Sequence, residues 1–130
     1  MQLENILANL PDYAKDIKLN FSSIINNHAV MSDTQFYGTL LASAIASRNL
    51  SLTKALKTEA AKYLDEKNLN AVAAAATLMA MNNIYYRFTD LIEDESFAKM
   101  PAGLRMNVMR DHGANNVDFE IWSLAGAVEF

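Results

Sequence analysis

The chain has 130 residues, 52% hydrophobic and 20% charged, enough apolar material for one small core and too much for a disordered tail. A net charge of −4 with no basic stripe argues against a nucleic-acid partner, and zero cysteine excludes disulfides and thiolate metal sites. Four Gly and two Pro are too few for the many turns of an all-β protein, so the composition favours helices.

In chain order, Leu3, Ile6, Leu7 and Leu10 share a helical face. Pro11 suits the first turn of a second helix, which runs through Tyr13, Ile17, Phe21 and Ile24 to the polar cluster Asn26-Asn27-His28. Ser32 and Gln35 have capping-box spacing and open a third helix reaching Asn49. Ser51 is the expected cap of a fourth, over 52–66. Asn68 or Asn70 is the expected start of the longest, over 71–92, whose alanine-rich first half lets other backbones approach closely. Pro101 to Gly103 breaks the pattern, Leu104 to Met109 reads as a short helix, and Asn115 or Asn116 caps the last one. No stretch alternates with period two, and no linker divides the chain, so 1–130 is one all-α domain of about six or seven helices.

The amino terminus lacks the basic-then-apolar order of a secretory signal. The longest apolar run, Ala71 to Met81, falls short of the roughly 18 residues of a membrane span. These features predict a soluble, cytoplasmic protein with no membrane contact.

Chemistry-bearing residues are few. His28 and His112 lack any HxxxH or HxxE partner and read as exposed loop histidines, so no metal site or cofactor is expected. Asp90, Glu93, Asp94 and Glu95 read as a solvated helix end. Met81 to Arg87 carries Asn82, Asn83, Tyr86 and Arg87 directly after a buried alanine run. Such groups need partners if buried, and form either a polar pocket or a network locking this helix to its neighbours or to another subunit. Glu120 stands among Phe119, Ile121 and Trp122. Burial would raise its pKa and make it a proton carrier; facing water, it is a first-turn acid favoured by the helix dipole.

The segments LPDYAKDIKLNFSSI (10–24), YGTLLASAIASRN (37–49), AAATLMAMNNIYYRF (74–88), GLRMNVM (103–109) and DFEIWSLA (118–125) resemble, in order and interval, the AhpD-type alkyl hydroperoxidases of the carboxymuconolactone decarboxylase-like superfamily. The resemblance covers nearly the whole chain. It implies an all-helical fold, a homo-oligomer of trimeric or higher order, and a thiol peroxidase reducing organic hydroperoxides with electrons from a lipoyl-bearing acyltransferase. In that family a CxxC pair and a following histidine do the redox work, with a glutamate about a dozen residues upstream that Glu120 matches. A thiolate attacks the peroxide, the resulting sulfenic acid closes a disulfide with the second thiol, and the glutamate and histidine move the proton. By that spacing the first cysteine falls just past position 130. The chain thus stands as most of the family's amino-terminal part, inactive alone, or as a short non-catalytic paralogue that forms oligomers or binds a partner; the superfamily's lactone decarboxylases are a more distant match. In the family the two halves form a degenerate repeat, and sliding the chain by 51 residues lays Met81 to Arg87 over the CxxC region, which makes it a cysteine-less copy held for structure and favours the packing reading of Asn82, Asn83 and Arg87.

Overall fold

The computed structural model describes residues Gln2 to Val128. Among the described residues there are seven α-helices, two short 3-10 turns and no strand. The helices are α1 (Gln2–Ala8), α2 (Lys15–Asn26), α3 (Asp33–Ala46), α4 (Leu50–Ala60), α5 (Glu66–Leu91), α6 (Glu95–Lys99) and α7 (Asn116–Ala127). The all-α expectation holds, as does the capping box. Ser32 Oγ accepts from the Gln35 amide at 3.1 Å, and Gln35 Oε1 accepts from the Ser32 amide at 3.1 Å. The last cap is Asn115, whose Oδ1 accepts from the amides of Val117 and Asp118.

Several boundaries differ from the sequence reading. The cap of α4 is Asn49 rather than Ser51, with Oδ1 accepting from the Leu52 amide. Arg48 takes a left-handed φ of 62°, so the chain reverses at once after α3 and the next helix starts early. The cap of α5 is Asp65, three residues before the first candidate asparagine. Residues 104–109 form no α-helix. Gly103 turns the chain at φ 69°, and only a 3-10 turn, Asn107–Arg110, follows. Within the acidic cluster Asp94 is a cap. Its Oδ1 accepts from the Ser96 amide and hydroxyl, which hold the carboxyl below its usual range and start α6.

The core forms where α3, α5 and α7 meet, with α4 packed on α3. Trp122 of α7 is fully buried against α3, where Gly38 leaves room for the indole. Indole Nε1 donates to the Gln35 carbonyl at 3.3 Å. Gln35 Nε2 also donates to Asp118 Oδ1 at 2.9 Å, so the capping-box glutamine in the first turn of α3 grips the first turn of α7. On the other side, α7 meets the alanine face of α5: Ala71, Val72, Ala75 and Ala76 are buried, and a methyl placed on Gly126 would stand 3.3 Å from the Ala76 Cα. The sequence expectation of close helix contact at the alanine run is met here.

Both histidines were read as exposed, and both are instead half-buried and stacked. His28 lies parallel to Phe36 with ring centroids 3.8 Å apart, and His112 lies on Phe119 at 4.0 Å. Each phenylalanine is the fourth residue after its helix cap, so each histidine acts as a flat clamp on the start of α3 or α7. His112 Nδ1 accepts from the Ala114 amide and its Nε2 meets Asn116 Oδ1, which fixes the ring. His28 bridges the end of α2 to the start of α3: Nδ1 meets the Ile24 carbonyl at 3.2 Å and Nε2 meets Asp33 Oδ1 at 3.0 Å. Both partners are acceptors, so the doubly protonated ring suits the site, and the Asp33 hydrogen bond raises the His28 pKa above 6.5. Tyr37 stacks on Tyr63 at 3.9 Å, and burial together with that neighbour pushes its hydroxyl up to about 12.

Two outcomes follow from this packing. Gly38→Ala drives a methyl into the indole, whose Cζ2 would lie 2.8 Å away, and should cost about 1–3 kcal/mol in urea unfolding. A loss within experimental error would mean that Trp122 is free to shift. For His28 the raised pKa stabilises the fold fully below about pH 6.5, and the gain is lost as pH rises through the folded value. The Tm of the wild type should therefore fall relative to that of Asp33→Asn between mildly acid and mildly alkaline pH. Parallel Tm–pH curves would remove the bridge from the account.

Candidate functional site

Beyond the alanine run α5 continues for about three turns without the same cover. Asn83, Arg87 and Asp90 are spaced i, i+4, i+7 and share one side. With Asn82, Tyr86, Leu91 and Ala127 of α7 they line a pocket of about 340 Å³ at the carboxyl end of α7. All four residues picked from Met81 to Arg87 thus meet in one place. Asp90, assigned by sequence to a solvated helix end, lines it too; its spacing from Asn83 was the available signal.

Within this chain the segment lines a pocket. Among the described residues no side-chain hydrogen bond or ion pair joins Asn83, Tyr86 or Arg87 to another group, and Asn82 reaches only Met106 Sδ, at 3.4 Å. The Asn83 amide nitrogen is buried without a partner, and so is the Ser123 hydroxyl, one turn before Ala127 on the same side of α7. A buried donor without an acceptor costs about 1–3 kcal/mol, so these groups mark a place where an acceptor is wanted. Arg87 adds a cation to the same wall. The opposite side of α5 is different in kind: Met81, Ile84, Tyr85 and Phe88 face Leu104 across an apolar hollow of about 390 Å³.

Glu120 is not part of the pocket. It is exposed on α7, in a stripe with Val117, Leu124 and Val128, while its neighbours Phe119 and Trp122 turn inward. The face it occupies runs along α7 towards Ala127, the pocket residue two turns on. In this chain its carboxylate faces water from the second turn of α7, and the acid of the first turn is Asp118. Among the described residues no group of three His, Asp or Glu side chains is placed to hold a metal ion. Nor is any helix of them long and apolar enough to cross a membrane.

No family model matches the chain. It is, however, 50% identical over 125 residues to the alkyl hydroperoxide reductase AhpD of Acidobacterium capsulatum, a match covering 96% of this chain and 68% of that protein. The AhpD of Gluconacetobacter diazotrophicus matches at the same identity and coverage, and that of Brucella canis at 46%, over 96% of this chain and 71% of its own length. Identity at this level, along nearly all of the chain and more than two-thirds of each relative, places it with them: the chain belongs to the alkyl hydroperoxide reductase AhpD family.

Proposed function

We propose that this chain is the helical scaffold of a hydroperoxide-reducing enzyme and does not turn over peroxide by itself. The single observation that carries the second half is the absence of cysteine from all 130 residues. Reduction of an organic hydroperoxide by thiols needs a thiolate to take the terminal oxygen, a proton for the departing alkoxide, and a second thiol to release water from the sulfenic acid. The scaffold supplies the non-sulfur part. Arg87 and the unpartnered Asn83 amide offer positive charge and a donor to the peroxide oxygens, with Asn82 and Tyr86 on the same wall. Glu120, by its match to the family's glutamate, relays the proton through the histidine that follows the CxxC pair. The reductant is a lipoyl-bearing acyltransferase, by family resemblance, and the setting is taken as cytoplasmic, as the composition leads us to expect.

The scaffold works as a homo-oligomer, a trimer or higher. Ile84, Phe88 and Leu91 of α5 are 59%, 49% and 69% exposed, and Leu124 of α7 is 64% exposed, and covering such side chains favours association. A second reading, a non-catalytic module that forms oligomers or binds a partner, rests on the same missing thiols and the same surface.

The 130-residue chain should give no repeated turnover of an alkyl hydroperoxide with dihydrolipoamide; its seven methionines can consume peroxide only stoichiometrically. Sustained turnover by this chain would defeat the proposal. A chimaera in which the remaining third of the Acidobacterium protein is joined after Phe130 separates the two readings, because the scaffold reading expects turnover to appear and the binding-module reading does not. In an active chimaera Glu120→Gln, which keeps size and hydrogen bonding but not titration, should slow turnover by roughly 10²–10⁴ without loss of Tm. A wild-type rate at neutral pH would reduce Glu120 to a solvated helix acid.

A further inference from the structure

The amino-terminal helices border another space. Leu3, Ile6, Leu7, Ile17, Phe21 and Leu52 line an apolar cavity of about 390 Å³ between α1, α2 and α4. A volume of that order lies within the roughly 300–1,000 Å³ of small-molecule sites. It adjoins a hollow of about 280 Å³ lined by Gln2, Asn5 and Lys54, and Ile6 and Ser51 line both. Side by side, the two hollows offer an apolar body and a polar edge. Lys54 is the only charged residue lining either part, and it makes no ion pair among the described residues.

The wall contributed by α2 is loosely seated. That helix has no fully buried residue, and Ile17, which lines the cavity, is 64% exposed. A long apolar side chain left half in water beside an open apolar cavity gains from anything that fills the space. At about 25 cal/mol per Å², covering such a side chain is worth as much as an ordinary core contact. A ligand that is wholly apolar would leave Lys54, Gln2 and Asn5 unused, and a small anion would leave the cavity empty.

We propose that the space between α1, α2 and α4 binds a medium-chain aliphatic carboxylate, its tail among Leu7, Phe21 and Leu52 and its carboxylate on Lys54. The ammonium supplies a charge-assisted hydrogen bond, and the amides of Gln2 and Asn5 offer further donors to the second oxygen. The tail fills the cavity and closes α2 down on α1. This site shares no residue with the pocket on α5 and α7, and it stands whether or not the chain serves a peroxidase.

Dodecanoate, held below its micelle concentration and titrated into the 130-residue protein, should bind saturably at one per chain and shift the methyl resonances of Leu3, Ile6, Leu7 and Leu52. Butyrate, which has the charge without the tail, should not compete. Lys54→Gln should weaken dodecanoate by at least about tenfold while leaving dodecanol binding unchanged, which separates the head contact from apolar partition. Ser51→Trp, at an exposed rim position of both hollows, should block both ligands and leave Tm unaltered. Shifts confined to the exposed side chains of α5, or dodecanoate binding that Lys54→Gln does not alter, would overturn the assignment.

Discussion

The placement of Trp122 on Gly38 governs the rest of the molecule. A fully buried indole cannot tilt without opening a void, and a void of that size costs several kcal/mol. Its Nε1–H must find an acceptor, and the Gln35 carbonyl is the one within reach. Gln35 is therefore committed three ways: its backbone to Trp122, its side-chain oxygen to the Ser32 amide and its side-chain nitrogen to Asp118. With α3 and α7 locked at their amino ends, the direction of α7 is fixed, and so is the point in space where Ala127 meets α5.

That meeting point explains why the pocket sits where it does. Along the first half of α5, small residues allow α7 to approach until backbone and side chain touch, as Gly126 does over Ala76 and Met79. Past Ala80 the side chains become large and polar, close contact stops, and the donors of Asn83 and Arg87 are left without acceptors. There is an internal likeness behind this. The cap of α5 at Asp65 and the cap of α7 at Asn115 lie 50 residues apart, and the same step carries the buried Val72, Ala75 and Ala76 onto the buried Trp122, Ala125 and Gly126. The caps and the buried faces thus set the internal offset at 50, one residue less than the 51 inferred from sequence.

Local signals were legible in the sequence and long-range ones were not. The Ser32–Gln35 box and the Asn115 cap each depend on residues within one turn, and each is seen as expected. Asn49 and Asp65 were passed over because neighbouring Ser51, Asn68 and Asn70 are also cap-forming types, and the choice turned on the backbone reversal at Arg48, which no side-chain pattern announces. Stacking of His28 on Phe36 and of His112 on Phe119 could have been suspected from their closeness to the caps. The bond from Gln35 to Asp118 spans 83 residues and leaves no trace in either local pattern. In the candidate site, helical spacing gathered Asn83, Arg87 and Asp90, but which side of α5 would be left open depended on α7.

Glu120 shows how the chemistry depends on what lies against this scaffold. Its carboxylate is in water, on the second turn of α7. Yet Val117, Leu124 and Val128 border it on the same face, and all three are more than half exposed. Apolar surface of that extent is covered at low cost, and whatever covers it must also strip water from the carboxylate between. Desolvation disfavours the charged form, so any partner surface that covered this stripe would act on the Glu120 carboxylate as well as on the apolar side chains around it.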